Sequence, residues 1–413
     1  MSILMNDIIK VPELLAPSGD LTRLKAAVDY GADAVYLAGE EFGMRTAATN
    51  FGEEDLKEGI EYAHSHGVKV HITCNTIPHN SEIPRLPAFL EQLNELGADA
   101  IIASDIGTMG LVKKYAPKCD LHISVQSGIC NYETARAFHD FGAKRVVLAR
   151  ELSLEEIAEI RAKTPSDLEI EAFAHGAMCV SFSARCLLSS YMTGRDANRG
   201  DCAQSCRWSY SLMEEKRPGQ YFDITETDKG TYILNANDMC MAEYLDKMTA
   251  AGVDSIKLEG RAKSHYYTAV VTNAYRGALD SLKENPFDWK CPEWVLEELN
   301  KISHRTYSTG FYMGFPTNSQ TYENAGYVRD YSVAAIVDDY CDGMIIATLK
   351  NKFLKGQVFD CLEPKSPPFE VVANELFDGK GNEIDSAPHP MMTIKIPFSK
   401  PVKKGSLLRM KAE

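Results

Sequence analysis

Four times along this chain an amphipathic helix ends in glycine and a short apolar strand follows at once: YGADAVYL at 30–37, LGADAIIA at 96–103, FGAKRVVL at 141–148 and AGVDSIKL at 251–258. Glycine just past a helix takes the left-handed turn that lets the chain fold back. The strands are almost continuously apolar, as parallel strands covered on both faces should be. ELLAPS at 13–18, KVHITC at 69–74, DLHISV at 120–125 and LEIEAF at 168–173 bring the candidates to eight. Eight strand–helix units over about 270 residues predict a parallel barrel of the TIM type. An open doubly wound sheet is the alternative, but no glycine-rich dinucleotide fingerprint follows the first strand. His175-Gly176 is expected to end the strand at 168–173.

The remainder changes character. Residues 284–330 carry prolines, a helix predicted at about 293–302 and the aromatic run SHRTYSTGFYMGF. From Tyr331 the pattern alternates, with turn-forming DGKGN and SKPVKKG between apolar segments. The predicted class is therefore α/β: a TIM-barrel-like N-terminal domain over 1–283, a linker over 284–330, and a small C-terminal antiparallel β-barrel over 331–413. At 413 residues and 45% hydrophobic content the chain can bury full cores. A net charge of −14 argues against wrapping in nucleic acid by bulk electrostatics, though not against a local basic patch. No apolar run approaches the ~20 residues of a membrane span. The N-terminus MSILMNDIIK lacks a basic region and an apolar core, so a cytoplasmic location is expected.

Polar residues just past strand ends should share one mouth of such a barrel, where barrel enzymes keep their sites. They are Ser18, Arg45 with Asn50, Asn75, Gln126, Arg150, His175, Lys257, Glu259 and Arg261. Beyond the seventh strand an irregular excursion carries Cys179, Cys186, Cys202 and Cys206, spaced x6, x15 and x3, and Cys240 follows in LNANDMC. Such crowding has three accounts: buried free thiols, structural zinc, or an iron–sulfur cluster, whose ligands can be unevenly spaced. A single cysteine paired with His175 could also serve as a nucleophile, which would explain one thiol and not five. The same excursion holds Arg185, Arg195, Arg199, Arg207, Lys216 and Arg217 against four acids within 33 residues. Tyr191, Trp208 and Tyr210 are interleaved with them, a composition suited to stacking on unpaired bases.

The stretch EAFAHGAMCVSFSARC resembles the signature of peptidase family U32, the collagenase-like group, with Ala184 where the pattern has glycine. The likeness continues through GDCAQSCRWSY, LNANDMC, SIKLEGRAKSHYY and SHRTYSTGFYMG, nearly the whole chain. Within the family it is most similar to members that hydroxylate the wobble uridine of tRNA to 5-hydroxyuridine. The resemblance implies oxygen-independent hydroxylation with prephenate as hydroxyl source. It also implies a 4Fe–4S cluster on Cys179, Cys186, Cys202 and Cys240, with Cys206 as the alternative ligand. The implied partners are tRNA, prephenate and a paralogous family subunit. On that footing Glu171, His175, Lys257 and Glu259 are the catalytic candidates, and Arg45, Asn75, Arg185 and Arg261 the substrate-binding ones. Arg195, Arg199, Arg207 and Trp208 are the RNA-binding candidates. The competing functions are a collagenase-like peptidase with a cysteine nucleophile and a non-catalytic RNA-binding protein. Neither HExxH nor an aspartic pair is present.

Overall fold

The computed structural model describes residues 10–44, 50–179, 181–208, 226–227, 230–231, 236–314 and 331–411. Eight parallel strands close on themselves. β1 (Glu13–Pro17), β2 (Ala34–Leu37), β3 (Lys69–Cys74), β4 (Ala100–Ala103), β5 (Asp120–Ile123), β6 (Arg145–Val147) and β7 (Glu169–Ala177) follow in sequence order. A short strand β8 (Asp238–Cys240) precedes β9 (Ser255–Leu258), which pairs with both β7 and β1 and completes the barrel. All eight predicted barrel strands are therefore present.

Helices α1 (Leu21–Asp29), α2 (Glu53–Ser65), α3 (Leu86–Leu96), α4 (Ile106–Tyr115), α5 (Tyr132–Phe141) and α6 (Leu154–Lys163) return the chain between strands. Local chemistry sets their ends. Asp20 accepts the Arg23 amide at 2.8 Å to start α1, and Ser153 with Glu156 forms a reciprocal cap on α6. Gly97 and Gly142 end α3 and α5 at φ 82° and 106°, the left-handed turns anticipated from the repeat.

One expectation fails at β7. The strand does not stop at His175-Gly176 but runs on to Ala177. Its first half pairs with β9, and after a register shift between Lys257 and Leu258 its second half pairs antiparallel with β8, Cys240 opposite His175 and Asp238 opposite Ala177. Gly176 is accommodated at φ 103°, where a side chain would meet the Glu259 carbonyl oxygen at 2.5 Å. The glycine thus permits a close crossing of two strands rather than a break.

α7 (Leu188–Thr193) lies in the cysteine excursion and α8 (Leu245–Ala250) leads into β9; α9 (His265–Glu284) and α10 (Glu293–Asn300) follow the barrel, and β10 (Tyr307–Ser308) adds to β8. The C-terminal unit is a seven-stranded antiparallel sheet around its own core. Its strands are β11 (Tyr331–Cys341), β12 (Met344–Leu349), β13 (Val358–Leu362), β14 (Phe369–Val372), β15 (Phe377–Asp378), β16 (Thr393–Pro397) and β17 (Leu407–Lys411), in the order β14-β13-β17-β11-β12-β16-β15. A buried ion pair fastens it to the barrel: Arg409 contacts Glu298 of α10 at 2.6 and 3.1 Å. The Tyr30 hydroxyl of the barrel side lies 3.1 and 3.0 Å from the Leu362 and Gly405 carbonyls. Among the described residues no helix is long and apolar enough to cross a membrane.

Candidate functional site

TIM barrels usually fill their interior with layers of branched aliphatic side chains. Here the inward positions of several strands are charged. Arg145 reaches Glu13 at 2.6 Å and Glu171 at 3.0 Å through Nη1, and Glu169 at 2.8 Å through Nη2. Lys257 closes the chain with Nζ 2.8 Å from Glu171 Oε1. Burial pushes the Glu171 carboxyl up, but Lys257 and Arg145 outweigh it and hold the group below the ordinary carboxylate range. Burial lowers the Lys257 ammonium, with Glu171 opposing that effect only in part. His71 and His122 meet edge-to-face at 4.8 Å beside this network. Burial brings His71 down to about 3 and His122 well below its ordinary value, so both are neutral at physiological pH. Sequence reading missed Arg145 as the hub, although a charged letter inside RVVL was its visible signal.

Above the network lies the mouth. Ser18 and Gln126, both almost fully buried, follow β1 and β5 at the C-terminal ends of the strands. The Ser18 hydroxyl and both ends of the Gln126 amide have no hydrogen-bond partner among the described residues. Buried polar groups are normally satisfied, so such a pair at a barrel mouth marks where a ligand would supply the missing bonds. The Arg150 guanidinium lies 3.7 Å from the Phe173 ring centroid and donates to the Ala177 carbonyl at 2.8 Å. Glu259 stands at the mouth end of β9, its amide held by the His175 carbonyl at 2.8 Å.

Two of the predicted substrate-binding residues, Arg261 and Asn75, are hydrogen-bonded at the rim. Arg261 donates to the Met44 carbonyl at 2.8 Å and to Asn50 Oδ1 at 2.9 Å, and Asn75 accepts the Met44 amide at 3.1 Å. Together they pin the loop after β2 across the barrel rim. Arg185 is exposed on the excursion. Arg45 lies outside the described residues.

His175 is also enclosed. Its ring sits among Tyr267, Tyr275 and Tyr307 at centroid distances of 6.1, 5.4 and 5.4 Å, with Nδ1 3.4 Å from the Tyr275 hydroxyl. Burial lowers it to about 3, leaving it neutral. β7 ends at Ala177, so Cys179 lies beyond the strand that carries His175.

Burial raises the Cys206 thiol; Arg207 opposes that, and the thiols of Cys179, Cys202 and Cys186 add to it. Cys186 Sγ accepts the Leu188 amide at 3.3 Å and Cys202 Sγ the Gln204 amide at 3.4 Å. Cys240 lies on β8, Sγ 3.9 Å from the Tyr275 hydroxyl, its thiol raised to about 11 chiefly by burial. The antiparallel β7–β8 register sets it opposite His175, beside the strand from which the excursion departs.

The arginines proposed for RNA are engaged within the protein: Arg195 with Asp201 at 2.7 Å, Arg199 with Glu82 at 3.0 Å and Arg207 with Gln204 Oε1 at 2.6 Å. Tyr191 and Trp208 are 82% and 42% exposed, so the aromatic half of that expectation has an accessible surface. Lys216, Arg217 and Tyr210 lie outside the described residues.

Residues 19–322 match the peptidase family U32 profile, and residues 329–409 match the U32 C-terminal domain. The chain belongs to peptidase family U32. It is 36% identical over 405 residues to the tRNA hydroxylation protein P1 of Bacillus subtilis (strain 168), covering 97% of this chain and 95% of that one. Against the tRNA hydroxylation protein P of Escherichia coli (strain K12) the identity is 34%, covering 97% and 96%. A collagenase of Porphyromonas gingivalis (strain ATCC BAA-308 / W83) is 33% identical, covering 73% of each chain. For a U32 chain the thiol set invites a test against an iron–sulfur cluster. The donor chemistry fits: four soft thiolate sources on one excursion, two already accepting main-chain N–H groups as cluster sulfurs do. Among the described residues no three His, Cys, Asp or Glu side chains are yet drawn together enough to hold a metal ion, so the sulfurs would have to close in on binding.

Proposed function

We propose that this U32 protein is an RNA-modifying hydroxylase that forms 5-hydroxyuridine at the wobble position of tRNA without molecular oxygen, with prephenate as the hydroxyl source. The full-length likeness to two tRNA hydroxylation proteins supports the reaction class. The observation that carries it in this chain is the pairing of a mouth with unmet hydrogen-bonding groups, Ser18 and Gln126, and a thiol-rich excursion hung from the adjacent β7.

In this reading Cys179, Cys186, Cys202 and Cys240 would hold a 4Fe–4S cluster, with Cys206 as the alternative ligand, and the cluster supplies one-electron chemistry when bound. The chain's own residues have separate tasks. The Gln126 amide, with one donor end and one acceptor end, orients a small polar ligand, and the Ser18 hydroxyl adds a third contact. Lys257, lowered by burial and tethered to Glu171, presents an ammonium to an anionic group from below. Arg145 fixes Glu171 and so fixes Lys257. The peptidase alternative draws no support from His175, which faces tyrosines. Deleting the gene should remove 5-hydroxyuridine-derived wobble modifications from tRNA mass spectra, and the wild-type gene should restore them. Gln126→Ala should not restore them while keeping the wild-type melting temperature. Unchanged tRNA in the deletion strain, with every paralogue also removed, would refute the reading.

A further inference from the structure

An exposed aromatic ring stands at the rim of the barrel mouth. Phe182, on the cysteine excursion three residues after Cys179 and four before Cys186, is 51% exposed. Its short turn, Phe182–Ala184, packs against the turn Val125–Ser127 that carries Gln126. The contact is close: a methyl group placed on Gly128 would meet Phe182 Cε1 at 3.2 Å. Gly128 itself adopts φ 68°, the left-handed region that glycine enters without strain. The ring therefore sits against the mouth loop, two residues past Gln126, on the segment that joins two of the thiols.

That placement is enforced by its surroundings. Ser183 has φ 44° and ψ 39°, a left-handed conformation rare for a residue with a side chain. Glu151, in the loop after β6, holds it there with both carboxylate oxygens: Oε1 accepts the Ser183 amide at 2.7 Å and Oε2 the Ser183 hydroxyl at 2.8 Å. Hydrogen bonds to an ionised acceptor are the stronger kind. Further along, the Ile77 amide, in the loop after β3, donates to the Asn198 carbonyl at 3.1 Å, and Asn198 Oδ1 accepts the Cys186 amide at 3.2 Å. The excursion is thus tied to the rim on both sides of Cys186. A strained turn that leaves an apolar ring half in water gains little from that ring's burial, and strain of this kind clusters at ligand sites.

We propose that Phe182 is the platform on which the target nucleobase stacks as it enters the mouth, an inference that rests on the RNA reading above. An enzyme that modifies a base must take it out of its stack to reach it. An aromatic face at the entrance replaces the stacking that the base gives up. Every base has a π-face, so the ring holds the base without reading its identity.

The test compares two versions of an anticodon stem-loop by fluorescence anisotropy, one with uridine at the wobble position and one abasic there. The wild-type protein should prefer the uridine loop by about fivefold to a hundredfold, the range for one stacked base. Phe182→Ala should bind both loops alike, and Phe182→Trp should keep the preference. The ring is half in solvent, so Phe182→Ala should melt at the wild-type temperature. If it melts early, Phe182→Leu, which keeps apolar bulk without a ring face, should show the same loss. A preference that survives in the Ala or Leu variant would overturn the proposal, as would a wild-type protein that binds both loops equally. A change of oligomeric state in analytical ultracentrifugation, with the preference intact, would assign the ring to a contact between copies and overturn it too. Failure of the wild-type protein to bind either loop would instead refute the functional reading beneath it.

Discussion

Replacing Arg145 by methionine removes a cation that touches three carboxylates. Its guanidinium is 2.6 Å from Glu13, 2.8 Å from Glu169 and 3.0 Å from Glu171, and the Arg145 side chain is 3% exposed. Glu171 has no exposure at all and would keep Lys257 alone as partner, while Glu13 and Glu169 retain some solvent. Leaving a buried charge uncompensated costs about 3–5 kcal/mol. The pH dependence follows from the shifts. Burial works against both Glu13 and Glu171, yet both are held below their ordinary values, the first by Arg145 and the second by Lys257 and Arg145. A carboxyl depressed in the folded state contributes stability above its unfolded pKa of about 4.3, and that contribution is lost as pH falls through the folded value. Without Arg145 burial prevails, the folded pKa rises, and ionisation at neutral pH works against folding. Urea unfolding followed by tryptophan fluorescence should therefore show the full deficit at pH 7.5 and a smaller one at pH 5. Arg145→Met/Glu171→Gln should recover part of it, because the second change removes the stranded charge. A variant within about 1 kcal/mol of wild type at pH 7.5, or a deficit equal at both pH values, would refute the network argument.

The thiols and the exposed aromatics give the other two tests. Anaerobically purified protein should carry about four iron and four acid-labile sulfide per chain. Cys179→Ala, Cys186→Ala, Cys202→Ala and Cys240→Ala should each lose the iron, while Cys206→Ala should keep it; the opposite result for Cys206 and Cys240 would make Cys206 the fourth ligand. Tyr191→Ala and Trp208→Ala should each weaken binding of a tRNA anticodon stem-loop by about 1–3 kcal/mol, between fivefold and over a hundredfold, if the rings stack on unpaired bases. Calorimetry showing no change for either variant would remove the excursion from the RNA interface.

The barrel was legible because its information is local. Each glycine that ends a helix is within one turn of the strand it launches, and at Gly97 and Gly142 the left-handed angles are those the repeat requires. What the sequence concealed depends on partners distant along the chain. His175-Gly176 looks like a break because glycine is read as punctuation. The strand continues because β8, more than 60 residues later, supplies hydrogen bonds to its second half. The charged interior was hidden similarly. His71, His122, Arg145 and Lys257 each occur singly in apolar strands, and only closure of the barrel turns them toward one another. The spacing of His175 and Cys179 suggested a catalytic pair, but the fold encloses the His175 ring among Tyr267, Tyr275 and Tyr307.

The charge of the chain finally bears on which surface meets RNA. With −14 overall, general attraction to a polyanion is absent, and the arginine-rich excursion offers less than its composition promised. Arg195 and Arg199 are bound to Asp201 and Glu82, and an exposed ion pair presents little net field to a ligand. Arg207 is likewise engaged, donating to Gln204 Oε1 at 2.6 Å. Binding should therefore show a shallow salt dependence and a large aromatic contribution, the reverse of proteins that grip nucleic acid through a basic face.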